Sequence, residues 1–209
     1  MKNKKTLYQF ILDSSGSMSK DRDNTVRMFN RQVSTIKSLS RQYPDQTFLT
    51  GLTVFNERAH PVLHSTPANL LKELNFERYN PMGFTALYDA IGETIENINE
   101  RFGMEINSGN MSVVMVILTD GHENSSRRYD MITVAELIKK LEDSNNWNFN
   151  ILGADFDITS VASLMNFREK SSLNYSKSDF KKMEDDIGMS IRNYAFMKSK
   201  GIVLKDFFQ

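Results

Sequence analysis

No cysteine occurs anywhere in the 209 residues of this chain. That absence excludes disulfides, thiolate metal sites and thiol nucleophiles together, and it fits a reducing compartment. Net charge is missing as well, since 26 basic residues offset 26 acidic ones. Without a global field to draw the chain onto a phosphate backbone or an anionic bilayer, neither nucleic acid nor a membrane is an expected partner. Long apolar runs are also lacking, and no stretch approaches the roughly 20 residues that a membrane-crossing helix requires. The charged start at residues 1–5 has the look of a signal n-region, but the apolar run at 7–12 is interrupted by Gln9 and meets Asp13 at once. That run is too short for an h-region. The expected location is therefore the cytoplasm, where the sequons at Asn110, Asn124 and Asn174 carry no glycan. Neither a Gly-x-Gly-x-x-Gly turn nor a Walker loop is present, so any ATP in the pathway belongs to a partner.

What is present suffices for one substantial core. At 40% hydrophobic content, residues 1–209 read as a single domain, with no internal repeat or low-complexity tract. Short aromatic and β-branched runs predict strands at 6–12, 47–55, 112–118, 148–154 and 172–175, with a short antiparallel edge strand at 59–64 after the turn Asn56-Glu57-Arg58. Pro61 suits an edge. Residues 112–118 are almost unbrokenly apolar, as in a strand buried on both faces at the centre of a parallel sheet. Apolar residues at three- and four-residue spacing predict helices at 24–43 (Val26, Phe29, Val33, Ile36, Leu39) and 86–102 (Leu87, Ile91, Ile95, Ile98). Further helices are expected at 68–74, 133–144, 158–165 and 178–197, with a polar, mobile linker at 103–110. The 12 methionines are expected in irregular core packing, and the basic runs 2–5 and 181–182 on solvated surface. Alternating strands and helices give an α/β fold: a doubly wound, mostly parallel sheet with helices on both faces. Ligands of such sheets sit beyond the carboxyl ends of the strands.

Three segments are placed at that edge. Asp13-Ser14-Ser15-Gly16-Ser17 follows the first strand, Gly83-Phe84-Thr85 precedes the long helix, and Thr119-Asp120-Gly121 follows the central strand. They offer two carboxylates and three hydroxyls, a set suited to a hard cation such as Mg²⁺, whereas zinc would call for His or Cys. In a loop of small residues, positions 13, 15 and 17 can turn their oxygens to one point, with Gly16 allowing the bend. Taken alone, Asp13 to Ser17 also makes an ordinary turn and helix cap, and Thr85 an N-cap for a helix beginning at Ala86.

The three-part pattern Asp-x-Ser-x-Ser, Gly-x-Thr-Ala-Leu and Leu-Thr-Asp-Gly resembles the metal-ion-dependent adhesion site of von Willebrand factor type A domains, over residues 5–197. The resemblance implies that Asp13, Ser15, Ser17, Thr85 and Asp120 surround a Mg²⁺ or Mn²⁺ ion. It also implies that an Asp or Glu of a partner protein completes the coordination, and that ligation is coupled to movement of the C-terminal helix. Such domains occur in adhesion proteins, chelatase subunits and bacterial assemblies with ATPases, and a bacterial intracellular assembly is the expected setting of this non-enzymatic module.

A rival class is a haloacid-dehalogenase-like phosphatase, with Asp13 as nucleophile. That chemistry places an acid/base Asp where Ser15 stands, and a Lys at a later strand end where none is evident. His122 and Glu123 are expected on the rim of the site, in a solvated loop. His60 and His64 share an edge-strand face but lack a third ligand. Asp155 and Asp157 either shape specificity at the same edge or cap the next helix.

Overall fold

The computed structural model describes residues 4–155 and 157–208. Six strands form one sheet: β1 (Lys5–Asp13), β2 (Thr47–Phe55), β3 (Ala59–Pro67), β4 (Met111–Thr119), β5 (Trp147–Ala154) and β6 (Ser172–Tyr175), in the order β3-β2-β1-β4-β5-β6. All neighbouring pairs are parallel except β2 and β3. β1 and β4 are the middle pair, and every residue of β4 is buried, as its apolar run requires.

Side-chain alternation along β1 explains the two-layered core. Tyr8, Phe10 and Leu12 pack under α1 (Arg22–Gln42) and α5 (Phe180–Ser199), while Leu7 and Ile11 pack under α2 (Leu87–Asn107), α3 (Met131–Asp143) and α4 (Ile158–Leu164). The doubly wound fold expected from sequence is therefore the one formed. Met18, Met28, Met111, Met115, Met165 and Met183 are buried within it.

Several local expectations are corrected. The predicted helix at 68–74 is only a 3-10 turn, Ala68–Leu70. Leu71 and Leu74 still reach the core, but the Asn30 side chain takes both polar groups of the Leu74 backbone (2.8 and 3.0 Å) and holds it out of a helix. The predicted linker at 103–110 is largely helical, because α2 runs on to Asn107. Ile106 is buried there, and its carbonyl accepts from Asn146 Nδ2 at 2.9 Å. β3 extends beyond His64 to Pro67, with register shifts and Ser65 at φ 38°. In the basic start, Lys2 lies outside the described residues, and Lys4 and Lys5 are half-buried in pairs with Asp45 (2.8 Å) and Glu105 (2.5 Å).

The last turn of α5 carries a polar group into this interior. Lys198 Nζ donates to Lys5 O (2.8 Å) and Thr6 Oγ1 (2.7 Å), and burial pushes its pKa down to about 7. Between that value and the ordinary lysine range the unfolded chain holds a proton that the folded chain lacks, so wild-type stability rises with pH in that window. Below about pH 7 the cost of charging Lys198 is fully present. Lys198→Met removes this cost together with two hydrogen bonds. Its stability relative to wild type is expected to be most favourable at pH 6–7 and to decline toward pH 9, with a slope of at most about 1.4 kcal/mol per pH unit. Urea melts of both proteins at pH 6, 7, 8 and 9 check it; a constant difference across the series contradicts it.

Candidate metal centre

The carboxyl ends of β1 and β4 open onto three loops that are fastened to one another through their backbones. Ser14 N–H donates to Phe55 O (2.6 Å), Gly16 N–H to Gly83 O (3.0 Å), Met82 N–H to Ser14 O (2.8 Å) and Ala86 N–H to Asn56 O (2.7 Å). Tyr79 donates its hydroxyl to Asp13 O. Gly83 has φ +74°, a conformation that L side chains rarely adopt, and an added Cβ there would stand 3.0 Å from Glu57 Oε1. The bend thus needs Gly83. Gly16, expected to supply it, has no positive φ and opens a 3-10 turn, Gly16–Asp21.

On this frame the five expected residues come together. Asp13 Oδ1 accepts from Ser15 N–H at 2.7 Å and Asp13 Oδ2 from Thr119 Oγ1 at 2.6 Å. The hydroxyls of Ser15 and Ser17 lie 3.1 Å apart, and Ser17 Oγ donates to Asp120 Oδ1 at 2.6 Å. Thr85 faces the same point across Gly121, where an added Cβ would meet Thr85 Oγ1 at 3.5 Å and Ser17 Oγ at 3.9 Å. Asp13, Ser15 and Thr85 are buried. Burial raises the pKa of Asp13; its hydrogen bonds to Thr119 and Ser15 oppose the rise, and the charge of Asp120 adds to it.

This donor set is all oxygen, with two carboxylates and three hydroxyls gathered at the ends of β1 and β4 and the start of α2. It fits a hard divalent cation in its chemistry. Among the described residues no group of three or more His, Cys, Asp or Glu is placed to hold a metal, so a cation here depends on the hydroxyls.

A family model of the von Willebrand factor type A domain matches residues 9–188. The chain belongs to that family. No curated protein matches the sequence. Among solved structures, the type A fold here is similar to proximal thread matrix protein 1 of the mussel byssus, at 18% identity and a TM-score of 0.60 over 89% of this chain and 46% of that one. A second structure of the mussel protein, at 17% identity and TM-score 0.60 over 88% of this chain and 44% of that one, has a zinc-occupied adhesion-site motif. The von Willebrand domain of the pilus tip protein Mfa5 from Porphyromonas gingivalis aligns over 92% of this chain and 97% of its own, at 9% identity and TM-score 0.60. At these identities the likeness is one of fold, and this chain spans less than half the length of the mussel protein.

Several residues that build this candidate site are not evident from the sequence. Thr85 does not cap a helix beginning at Ala86. The helix starts at Leu87 with Ala86 as its N-cap residue, and Thr85 is held by Asn124, whose side chain accepts from Thr85 N–H (2.9 Å) and whose N–H donates to Thr85 O (3.0 Å). Glu123 is no solvated rim residue. Its carboxylate accepts from Ser125 N–H, Ser126 N–H, Ser126 Oγ and Tyr88 N–H at 2.6–3.1 Å. His122 is exposed. Asp157 caps α4 through Thr159 N–H and Ser160 Oγ. Asp155 does not cap it, and instead accepts from Lys177 N–H at 2.8 Å. His60 and His64 are exposed on β3.

Most consequential is Lys177, two residues beyond β6, whose ammonium lies 2.5 Å from Asp120 Oδ2 and 3.3 Å from Asp21 Oδ2. The expectation that no lysine stands at a later strand end is thus wrong. The signal available was position alone, since β6 ends at the same sheet edge as β1 and β4. Burial lowers the pKa of Lys177, but hydrogen bonding and charge from Asp120 and Asp21 outweigh it, and the ammonium is held above its ordinary value.

No helix among the described residues is long and apolar enough to cross a membrane.

Proposed function

We propose that Asp13, Ser15, Ser17, Thr85 and Asp120 hold one divalent cation, Mg²⁺ or Mn²⁺, and that the protein binds an acidic side chain of a partner protein there. The carrying observation is the run of contacts from Ser15 Oγ to Ser17 Oγ to Asp120 Oδ1, with the Thr85 hydroxyl close by beside Gly121, at the carboxyl edge of the sheet. When bound, the ion supplies an electrophilic position for an anionic oxygen. The chain's own residues fix the three loops and exclude water from Asp13. In this reading residues 1–209 form one type A domain, and cysteine's absence suits the cytoplasm. An assembly that includes an ATPase is one setting where such a partner is met.

The phosphatase reading fares worse. Lys177 faces Asp120 rather than Asp13, and Ser15 replaces the acid/base.

The testing experiment is affinity capture with the full chain as bait, in Mg²⁺ and in chelator, beside Asp13→Ala. A protein retained only by wild type in Mg²⁺, and released by chelator, is the expected result. Capture indifferent to both metal and mutation removes the carboxylate bridge and leaves the fold.

A further inference from the structure

Lys177 is too firmly built into the site to be a passing surface charge. It opens the 3-10 turn Lys177–Asp179 between β6 and α5. Its backbone is fixed by Asp155, whose side chain accepts from Lys177 N–H and whose own N–H donates to Tyr175 O at 2.8 Å. Asp155 adopts φ +60° to do so, a conformation that Asp tolerates better than most residues. The Lys177 side chain then reaches back over the loop of β1 to Asp120, Asp21 and Ser17 O (3.5 Å). Asp120's side chain has no exposed surface and Asp21's is 9% exposed, so solvent screens these contacts little.

The charges decide what this does. Asp13, Asp21 and Asp120 carry three negative charges against the one ammonium of Lys177, which touches the last two, so the cluster holds two net negative charges. A divalent cation brings that to neutrality. Without Lys177 the loaded cluster would keep one net negative charge, which disfavours an acidic ligand against a neutral oxygen.

Resting on the metal-centre reading above, we infer that Lys177 is a tethered cation that opposes the divalent ion at Asp120 and keeps the loaded site from carrying a net negative charge. It thereby trades ion affinity for selectivity toward anionic ligands. Ammonium and metal contend for the same Oδ2 of Asp120. An opposite charge within about 4–6 Å lowers a carboxylate's affinity for a proton by about one to three powers of ten, and the ammonium opposes a metal cation at Asp120 in the same sense.

Mn²⁺ titration by calorimetry on the full chain tests it, with wild type, Lys177→Met, Lys177→Arg and Asp13→Ala compared. Lys177→Met is expected to bind Mn²⁺ at least about tenfold tighter than wild type, with a correspondingly larger upward shift of Tm on adding Mn²⁺. Lys177→Arg keeps the charge and is expected within about threefold of wild type. Equal or weaker binding by Lys177→Met, with Asp13→Ala still abolishing binding, overturns the role of Lys177 and leaves the metal centre standing. Mn²⁺ binding that survives Asp13→Ala shows that the ion sits elsewhere, and both readings fall together. Lys177→Gln repeats the test if the methionine variant does not fold.

Discussion

Asp89→Ala is expected to destabilise the protein by about 3 kcal/mol or more and to weaken cation binding at a site that Asp89 does not touch. Asp89 lies in the first turn of α2 and is 7% exposed. Its carboxylate accepts from three consecutive backbone groups, Arg127 N–H at 2.8 Å, Arg128 N–H at 2.9 Å and Tyr129 N–H at 2.8 Å. In return Asp89 N–H donates to Ser126 Oγ at 3.1 Å. Hydrogen bonds to a charged acceptor are each worth about 1.5–3 kcal/mol, and an orphaned buried donor costs about 1–3. Relaxation of the loop toward water recovers part of that sum. A carboxylate near a helix N-terminus adds a smaller favourable term. Asp89→Asn keeps one oxygen but turns an NH₂ toward Arg127 N–H or its neighbours, so it should lose about half as much. Chemical denaturation gives the ranking wild type, Asn, Ala. The effect on the cation follows from connectivity, since the same loop carries Asn124, which anchors Thr85 from both sides. Equal stability of the three proteins would contradict the buried-acceptor account.

The contrast between Asp89 and Lys177 shows which parts of the molecule can be read from the chain. Strands β1 and β4 are legible because burial on both faces demands apolar runs, and α1 because Val26, Phe29, Val33, Ile36 and Leu39 keep helical spacing. The residues proposed as ligands are legible because hard-cation chemistry needs oxygen donors clustered at strand ends, and three such clusters occur in order. Nothing comparable marks Asp89, whose role depends on a loop 38 to 40 residues away in sequence. Nor does it mark Asp21, Thr119 or Asn124, common residues whose function is set by which backbone group folds against them. The run at 68–74 misled because its apolar spacing is satisfied equally by an extended segment once Asn30 takes the Leu74 backbone. At 103–110 polar composition suggested a linker, yet Ile106 alone gives the last turn of α2 enough to bury.

Thr85→Val separates the proposed ion from the fold more cleanly than any carboxylate change. The residue is 3% exposed, and its backbone bonds to Asn124 do not involve the side chain. Its hydroxyl makes no hydrogen bond to a described residue, although it lies where a Cβ on Gly121 would meet it at 3.5 Å. Valine keeps nearly the same shape and rotamer preference, so removing the oxygen leaves no protein donor or acceptor orphaned. Thermal stability in chelator should therefore stay within about 0.5 kcal/mol of wild type. Where a cation is held, one oxygen donor is lost, and a charge-assisted contact of about 1.5–3 kcal/mol corresponds to roughly 10- to 150-fold weaker Mn²⁺ binding. The measurement is a Mn²⁺ titration together with melts in chelator and in saturating Mn²⁺. Loss of the Mn²⁺-dependent rise in Tm, with the chelator melt unchanged, assigns Thr85 to the ion. A chelator melt that falls with unaltered Mn²⁺ affinity would instead make the hydroxyl a structural group, and the cation, if bound at all, would have to be held without it.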